Sequence, residues 1–257
     1  MALIDNRPRR CSCRRMNMFY LIDTSGSMNY NGCIDSVNAA MPEIVDILTD
    51  ISSSNRDQGE IYLSCITFGN DARMLYDRPV AAPDFRWANV RAGGLTNLEA
   101  AFRMLESQMH RSSGLNSEDG HLRPAVILMT DGDPDDGWES ALEKLQQNRW
   151  FREAYKIAIA IGANAGTKMM KRALTKFAEP LDAGGPMTII NISDLTRLHE
   201  VVRFVSSTVS RLGSQSTGAA RGVGSVGEEI NNAIRREFNP VDGVDIPPIS
   251  GDDRPWW

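Results

Sequence analysis

Five side chains that can offer oxygen ligands stand in three separate segments of this 257-residue sequence. They are Asp23, Ser25, Ser27, Thr96 and Asp131. The first segment follows the apolar run Met18–Ile22, the second precedes a helical pattern, and the third follows the apolar run Pro124–Thr130. In open α/β sheets, ligands bind beyond the carboxyl ends of the strands, where the strand order reverses. The spacing therefore predicts that the five side chains converge at one edge of a sheet.

This combination of side chains suits a hard divalent cation. Two carboxylates and three hydroxyls make an all-oxygen set, which fits Mg²⁺ or Mn²⁺ and does not fit zinc. If Asp23 and Asp131 are both ionised, their charge balances that of the ion, and the remaining protein ligands are neutral hydroxyls. Such an ion keeps its Lewis acidity and an open or water-filled position. The natural ligand for that position is a carboxylate of another molecule, which predicts metal-dependent protein binding.

The pattern Asp-x-Ser-x-Ser with a downstream threonine and aspartate resembles the metal-ion-dependent adhesion site (MIDAS) of von Willebrand factor A domains. All five positions match the family's metal-site residues, and the resemblance spans roughly residues 16–212. It implies that Ser25, Ser27 and Thr96 coordinate the ion more directly, while the two aspartates act partly through water.

Several segments are also similar to the stand-alone bacterial proteins of the TerY type, which belong to tellurium-resistance and stress-response loci. These segments are Tyr20–Met28, Asp35–Asn38, Ile66–Phe68, Pro124–Gly132 and Ile161–Ala165. That branch is associated with protein kinase and phosphatase partners. The resemblance implies a scaffolding role beside such partners.

A second class of function uses the same kinds of residue. An aspartate at a strand end with a divalent ion also describes a Mg²⁺-dependent phosphatase-like hydrolase of the haloacid dehalogenase type. That chemistry needs a second carboxylate two residues after the nucleophile, and Ser25 stands there instead. The three histidines share no ligand spacing with one another or with a cysteine, and no nucleophile is paired with a base. We expect a binding module rather than an enzyme, and a subunit held permanently in a larger assembly is a third interpretation.

The elements that must position the five side chains alternate between strands and helices. Strands are expected at Met18–Asp23, Ile61–Phe68, Arg73–Arg78, Pro124–Thr130, Lys156–Ile161 and Met187–Ile192. Apolar residues at helical spacing predict helices at Ile34–Ile51, Leu98–Met109, Trp138–Gln147, Thr167–Phe177 and Leu195–Leu212. The turn sequence at residues 69–71 predicts a hairpin between the second and third strands. The order indicates an α/β fold with a doubly wound, mainly parallel six-stranded sheet, one antiparallel edge strand and helices on both faces.

The two ends of the chain fall outside this pattern. Residues 1–15 are expected to form a basic flexible arm, residues 16–212 the domain, and residues 213–257 a flexible linker and docking tail. Within the tail, an apolar stripe predicts one short helix and, with Trp256-Trp257, offers anchors for a partner. The stripe consists of Ile230, Ile234 and Phe238. A disordered solubilising tail is the alternative interpretation.

Composition excludes several classes of function. A net charge of −5 argues against electrostatic capture of nucleic acid or of an anionic membrane. No apolar run approaches the roughly 18 residues that a membrane span needs, and no targeting segment is evident. Of the four cysteines, Cys33 and Cys65 fit buried apolar positions, whereas the Cys11/Cys13 pair fits half a metal clip or a lipidation site. We expect a reducing, cytoplasmic location.

Overall fold

The computed structural model describes residues 14–54, 59–110, 122–162, 167–179, 188–215, 223–238 and 243–245, and their strands form one sheet. The strands are β1 (Arg15–Asp23), β2 (Glu60–Phe68), β3 (Ala72–Met74), β4 (Val80–Ala81), β5 (Ala125–Thr130), β6 (Tyr155–Ile161), β7 (Thr188–Ile192) and β8 (Val244–Asp245). Their order is β3-β2-β1-β5-β6-β7-β8, and β4 also pairs with β2. The five central strands are parallel, and the three short strands pair with them in the antiparallel sense.

Helices cover both faces of this sheet. They are α1 (Cys33–Ser54), α2 (Leu98–Gln108), α3 (Trp138–Gln146), α4 (Arg149–Glu153), α5 (Lys168–Ala178), α6 (Leu198–Gln215) and α7 (Val223–Glu237). The first, sixth and seventh helices pack on one face, and the other four pack on the opposite face. Along β1, Tyr20 and Ile22 face the first group while Phe19 and Leu21 face the second. Burial on both sides explains why the central strands are almost continuously apolar.

The strand order reverses at β1. From β1 the chain passes through α1 to β2 on one side, and it later reaches β5 on the other side. The parallel register pairs Ile22 with Met129, which brings the ends of β1 and β5 to the same level. The carboxyl ends of β1 and β5 therefore meet at the crevice where ligands bind in folds of this kind.

The predicted fold class is confirmed, with two additions to the sheet. The hairpin of β2 and β3 forms as expected, although β3 is only three residues long and ends at Met74. The strands β4 and β8 bring the described sheet to eight strands rather than six, and β8 makes a second antiparallel edge. Each of these two strands has only two residues, too few to give a periodic pattern in the sequence.

The folded part extends beyond the predicted boundary at Leu212. Residues 223–237 form α7, which contains part of the predicted linker, and the stripe residues Ile230, Ile234 and Phe238 are buried in the core beside α6. The rings of Phe204 and Phe238 meet edge to face at 5.4 Å. The stripe predicted the short helix correctly, but the prediction that it docks on a partner is wrong, because it packs on its own domain.

Other predictions concern residues that the structure does not describe. Cys11, Cys13, residues 216–222 and Trp256-Trp257 all lie outside the described residues. The arm boundary moves slightly, since β1 already begins at Arg15, whose guanidinium lies over the Tyr62 ring at 4.8 Å. None of the helices in the described part of the chain is long and apolar enough to cross a membrane.

Candidate metal centre

The first carboxylate of the site, Asp23, ends β1 and is fully buried. Its Oδ1 accepts a hydrogen bond from the Ser25 amide at 2.7 Å, and its Oδ2 accepts one from the Thr130 hydroxyl at 2.5 Å. One partner comes from the turn that follows β1 and the other from the end of β5. Asp23 is therefore held in one orientation by both neighbouring segments.

A chain of hydrogen bonds joins the two serines to the second carboxylate. A 3-10 helix, Gly26–Gly32, begins directly after Ser25 and places the hydroxyl of Ser27 beside that of Ser25, with 2.9 Å between the two oxygens. The Ser27 hydroxyl donates to Oδ1 of Asp131 at 2.6 Å. Ser25 and Asp131 are both buried, whereas Ser27 is half-buried. These side chains already form a compact group of oxygen atoms at the ends of β1 and β5.

Thr96 joins the same group through the close approach of Gly132. A Cβ added at Gly132 would lie 3.2 Å from Oγ of Ser27 and 3.6 Å from Oγ1 of Thr96. The Thr96 carbonyl accepts a hydrogen bond from the Asp135 amide at 3.1 Å, which ties its loop to the loop after β5. The structure thus brings all five predicted side chains to one edge of the sheet, as the spacing predicts.

The Thr96 loop is shaped by a contact between Gly94 and Asn70. Gly94 has a φ of +90°, and a Cβ there would come within 2.5 Å of the Asn70 side chain, so no other residue fits this position without strain. Oδ1 of Asn70 accepts from the Leu95 amide at 2.9 Å, and the Asn70 carbonyl accepts from the Asn97 side chain at 2.9 Å. Asn70 therefore fixes the residues on both sides of Thr96.

Sequence analysis did not identify three of these supporting residues. Asn70 looked like an ordinary turn residue, and Thr130 looked like the polar end of an apolar strand. Asp133 is the third: its Oδ1 accepts from the Met170 amide at 3.0 Å and from the Thr167 hydroxyl. Asp133 thereby links the loop after β5 to the first turn of α5. No sequence signal pointed to these contacts, because each partner lies more than 20 residues away in the chain.

The electrostatics of the two carboxylates favour a bound cation. Burial raises the pKa of Asp23 to about 6, although the hydrogen bonds from Thr130 and Ser25 oppose the rise. The nearby charge of Asp131 raises it further, and burial also raises the pKa of Asp131 itself. Two acids that resist ionisation at this edge would be stabilised as carboxylates by a divalent ion.

The side-chain atoms available as metal ligands at this edge indicate which ion would fit. Among the described residues, no three histidine, cysteine, aspartate or glutamate side chains cluster in a way that could hold a metal. A cation at this edge must therefore take hydroxyl oxygens in addition to the two carboxylates. Such a set of oxygens fits Mg²⁺ or Mn²⁺.

Comparison with known proteins agrees with this geometry. Residues 18–133 match the family model of the von Willebrand factor type A domain, a stretch that includes all five side chains. No curated protein is significantly similar to the chain.

Solved structures share the fold at low sequence identity. The ArnB paralog VWA2 from Sulfolobus acidocaldarius is 21% identical with a TM-score of 0.51, and the match covers 73% of this chain and 44% of that one. A von Willebrand factor type A structure from Catenulispora acidiphila is 17% identical with a TM-score of 0.54, covering 77% and 43%. Proximal thread matrix protein 1 from the mussel byssus, with a zinc-occupied MIDAS motif, is 19% identical with a TM-score of 0.52, covering 78% and 46%. Each match thus spans less than half of the solved chain.

Identities this low show a common fold and no more. The family match covers β1, β2, β5 and the helices between them, and the solved structures share the sheet and its helices. Residues 18–133 of this chain therefore match the von Willebrand factor type A family, and the described part of the chain shares the fold of solved structures that carry this domain.

Proposed function

We propose that this chain is a metal-dependent protein-binding module, an adaptor or scaffold that accepts a carboxylate from a partner. The ligand set consists of Asp23, Ser25, Ser27, Thr96 and Asp131. The observation that supports the proposal is the pair of carboxylates, at most 5% exposed, that lie among hydroxyls. In the described part of the chain, neither carboxylate has a positive side chain as partner. A buried pair of this kind is costly unless a cation offsets it.

The ratio of charged to neutral ligands in this set explains why a partner would bind. Two ionised aspartates offset the two charges of Mg²⁺ or Mn²⁺, and the hydroxyls of Ser25, Ser27 and Thr96 add no charge. When bound, such an ion supplies a Lewis-acidic position that takes an aspartate or glutamate from another protein. The zinc in the mussel protein belongs to that protein, and the all-oxygen set here favours the harder ions.

Absence of catalysis is part of the proposal. Ser25 stands where a phosphatase of the haloacid dehalogenase type needs its acid/base carboxylate. Of the histidines, His110 pairs with Glu106 and His199 with Glu43, each at 2.7 Å, and none of these four is among the site's hydrogen-bond partners. The alternative function, a Mg²⁺-dependent hydrolase, predicts phosphatase activity that disappears in Asp23→Asn.

The class of partner is proposed from sequence likeness. The segments similar to TerY-type proteins support a cytoplasmic scaffold in a stress-response or tellurium-resistance complex, beside protein kinase and phosphatase partners. One of these segments, Tyr20–Met28, includes three of the five proposed ligands.

The test is affinity capture from native bacterial lysate, in Mg²⁺ and in EDTA. Wild type is compared with Ser27→Ala, which removes one proposed ligand, and with Ser140→Ala, a matched control whose exposed hydroxyl bonds only within the start of α3. We expect the same protein to be captured by wild type and by Ser140→Ala in Mg²⁺, and to be lost in EDTA and in Ser27→Ala. Capture that is unaffected by EDTA and by Ser27→Ala would contradict the proposed function.

A further inference from the structure

The large apolar side chains that are exposed in the described part of the chain all lie at the metal edge of the sheet. They are Tyr30, Leu95 and Met169, with 72%, 61% and 46% of their surface accessible. A single exposed apolar residue is ordinary. Three exposed apolar residues at the same edge as the proposed ligand site form part of the surface that surrounds this site. We call these three residues the apolar rim.

Each residue of the apolar rim is attached to one of the three segments that supply the proposed ligands. Tyr30 lies in the 3-10 helix that contains Ser27, three residues further on. Leu95 directly precedes Thr96. Met169 lies in the first turn of α5, next to Met170.

The attachment of Met169 depends on a contact across the edge. The Met170 amide donates to Oδ1 of Asp133 at 3.0 Å, and Asp133 stands two residues after Asp131. The first turn of α5 is therefore held against the segment that supplies the second carboxylate. Tyr30 and Leu95 thus lie on two of the ligand-bearing segments, and Met169 lies on a helix that is held against the third.

Hydrogen bonds hold the segments of the rim together. The Asn29 side chain donates to the Ala92 carbonyl at 3.1 Å, and the Gly26 amide donates to the Gly94 carbonyl at 2.9 Å. The backbone around Leu95 is fixed in turn by Asn70. A surface that is already ordered loses little entropy when a partner binds, which favours recognition of apolar side chains there.

The charges of the same edge decide what kind of partner fits. Arg91 and Lys168 are exposed there, and so are Asp133, Asp135 and Asp136, so the exposed acids outnumber the cations by one. A negatively charged group of a partner is therefore attracted by the bound ion and not by the exposed side chains at this edge. A segment with one carboxylate and apolar neighbours matches this surface better than a polyanion does.

We propose that the apolar rim recognises a peptide segment in which the metal-binding aspartate or glutamate is flanked on both sides by apolar side chains. This inference rests on the proposed function, because the carboxylate binds through the ion. Tyr30 and Leu95 are specificity-determining residues beside the site, and Met169 is the third.

The test uses three labelled peptides in saturating Mg²⁺, measured by fluorescence anisotropy: Gly-Leu-Asp-Leu-Gly, Gly-Ser-Asp-Ser-Gly and Gly-Leu-Asn-Leu-Gly. The protein variants are the triple change Tyr30→Ser/Leu95→Ser/Met169→Ser and the control Met104→Ser, which removes a half-buried methionine from α2. Calorimetry with Mn²⁺ and thermal unfolding show whether each variant keeps its metal site and its fold.

We expect the Leu-Asp-Leu peptide to bind wild type at least about tenfold more tightly than the Ser-Asp-Ser peptide, from the burial of two leucines. The preference should persist in Met104→Ser and vanish in the triple variant, which should still bind Mn²⁺ and the Ser-Asp-Ser peptide normally. The Leu-Asn-Leu peptide should bind neither protein.

Each contrary result has a distinct meaning. Equal affinity for the two aspartate peptides would contradict the proposed role of the apolar rim, and so would a preference that persists in the triple variant. Neither result would contradict the proposed function. If neither aspartate peptide binds a protein that binds Mn²⁺, the proposal that a partner carboxylate binds through the ion is wrong as well. A Mg²⁺-dependent dimer in sedimentation that the triple change abolishes would make a second copy of the chain the occupant, and would overturn the assignment to a separate peptide.

Discussion

Replacing Asp23 with asparagine is expected to stabilise the metal-free domain while abolishing its response to Mg²⁺. The amide fits the contacts that the carboxylate makes. Its oxygen can accept from the Ser25 amide, and its NH₂ group can donate to the Thr130 hydroxyl, which then turns toward the Gly132 carbonyl 3.4 Å away. The substitution therefore removes a buried charge and leaves the hydrogen bonds in place.

The size of the gain follows from the pKa of Asp23. A rise from 3.8 in the unfolded chain to about 6 in the folded domain corresponds to about 3 kcal/mol against the ionised form. Because the folded domain binds the proton more tightly, wild type loses this stability as the pH rises from about 4 through about 6. The asparagine variant has no such loss. It should match wild type near pH 4 and exceed it by up to about 3 kcal/mol above pH 7.

The assay is urea unfolding of both metal-free proteins at several pH values between about 4 and about 7.5. Apart from Asp131, whose charge is coupled to that of Asp23, the other titrating groups are common to both proteins and cancel in the difference. The matched control is Asp135→Asn, which changes an exposed carboxylate in the loop after β5 and should shift the free energy of unfolding by less than about 0.5 kcal/mol. A difference between Asp23→Asn and wild type that does not grow with pH would refute the reasoning.

Three further changes test the supporting residues and the tail. Gly132→Ala should weaken Mn²⁺ binding by about tenfold or more in calorimetry, with the fold retained, because its Cβ would lie 3.2 Å from the hydroxyl of Ser27, closer than ordinary van der Waals contact. Thr130→Val removes the hydrogen bond to Asp23, so the pKa of Asp23 should rise further and Mn²⁺ affinity should fall most steeply below about pH 7. Ile234→Ala should cost about 2–5 kcal/mol in the free energy of unfolding, because this side chain is fully buried.

Each of these results has a contrary outcome. Unchanged Mn²⁺ affinity in Gly132→Ala would contradict the role of the Ser27 hydroxyl as a ligand of the ion. If Thr130→Val lowers Mn²⁺ affinity equally at all pH values, the effect does not arise from the protonation of Asp23. If Ile234→Ala unfolds like wild type in urea, α7 is not part of the cooperative domain.

The sequence was most informative where a local pattern coincided with a strand end. The apolar run before Asp23 and the run before Asp131 are long enough to be recognised as buried parallel strands, and such strands end at one edge. The convergence of the side chains could therefore be predicted without coordinates. The turn at residues 69–71 likewise predicted the hairpin from local composition.

Contacts between distant segments could not be predicted in this way. Thr130 at the end of β5 gives no sign that its hydroxyl meets Asp23, 107 residues earlier. The stripe that contains Ile234 shows that an apolar face must be buried, but not whether the partner is another protein or α6 of the same chain. The two-residue strand β8 forms only because β7 offers a free edge, which no local pattern reveals.

The most direct measurement is anomalous diffraction from crystals grown with Mn²⁺. We predict one strong anomalous peak at the edge where β1 and β5 end, within about 2.5 Å of the hydroxyl oxygens of Ser25, Ser27 and Thr96. Asp23 and Asp131 should lie in direct or water-mediated contact with the same peak. A Mn²⁺-saturated crystal whose peaks fall elsewhere, with none among these five residues, would contradict the proposed metal centre.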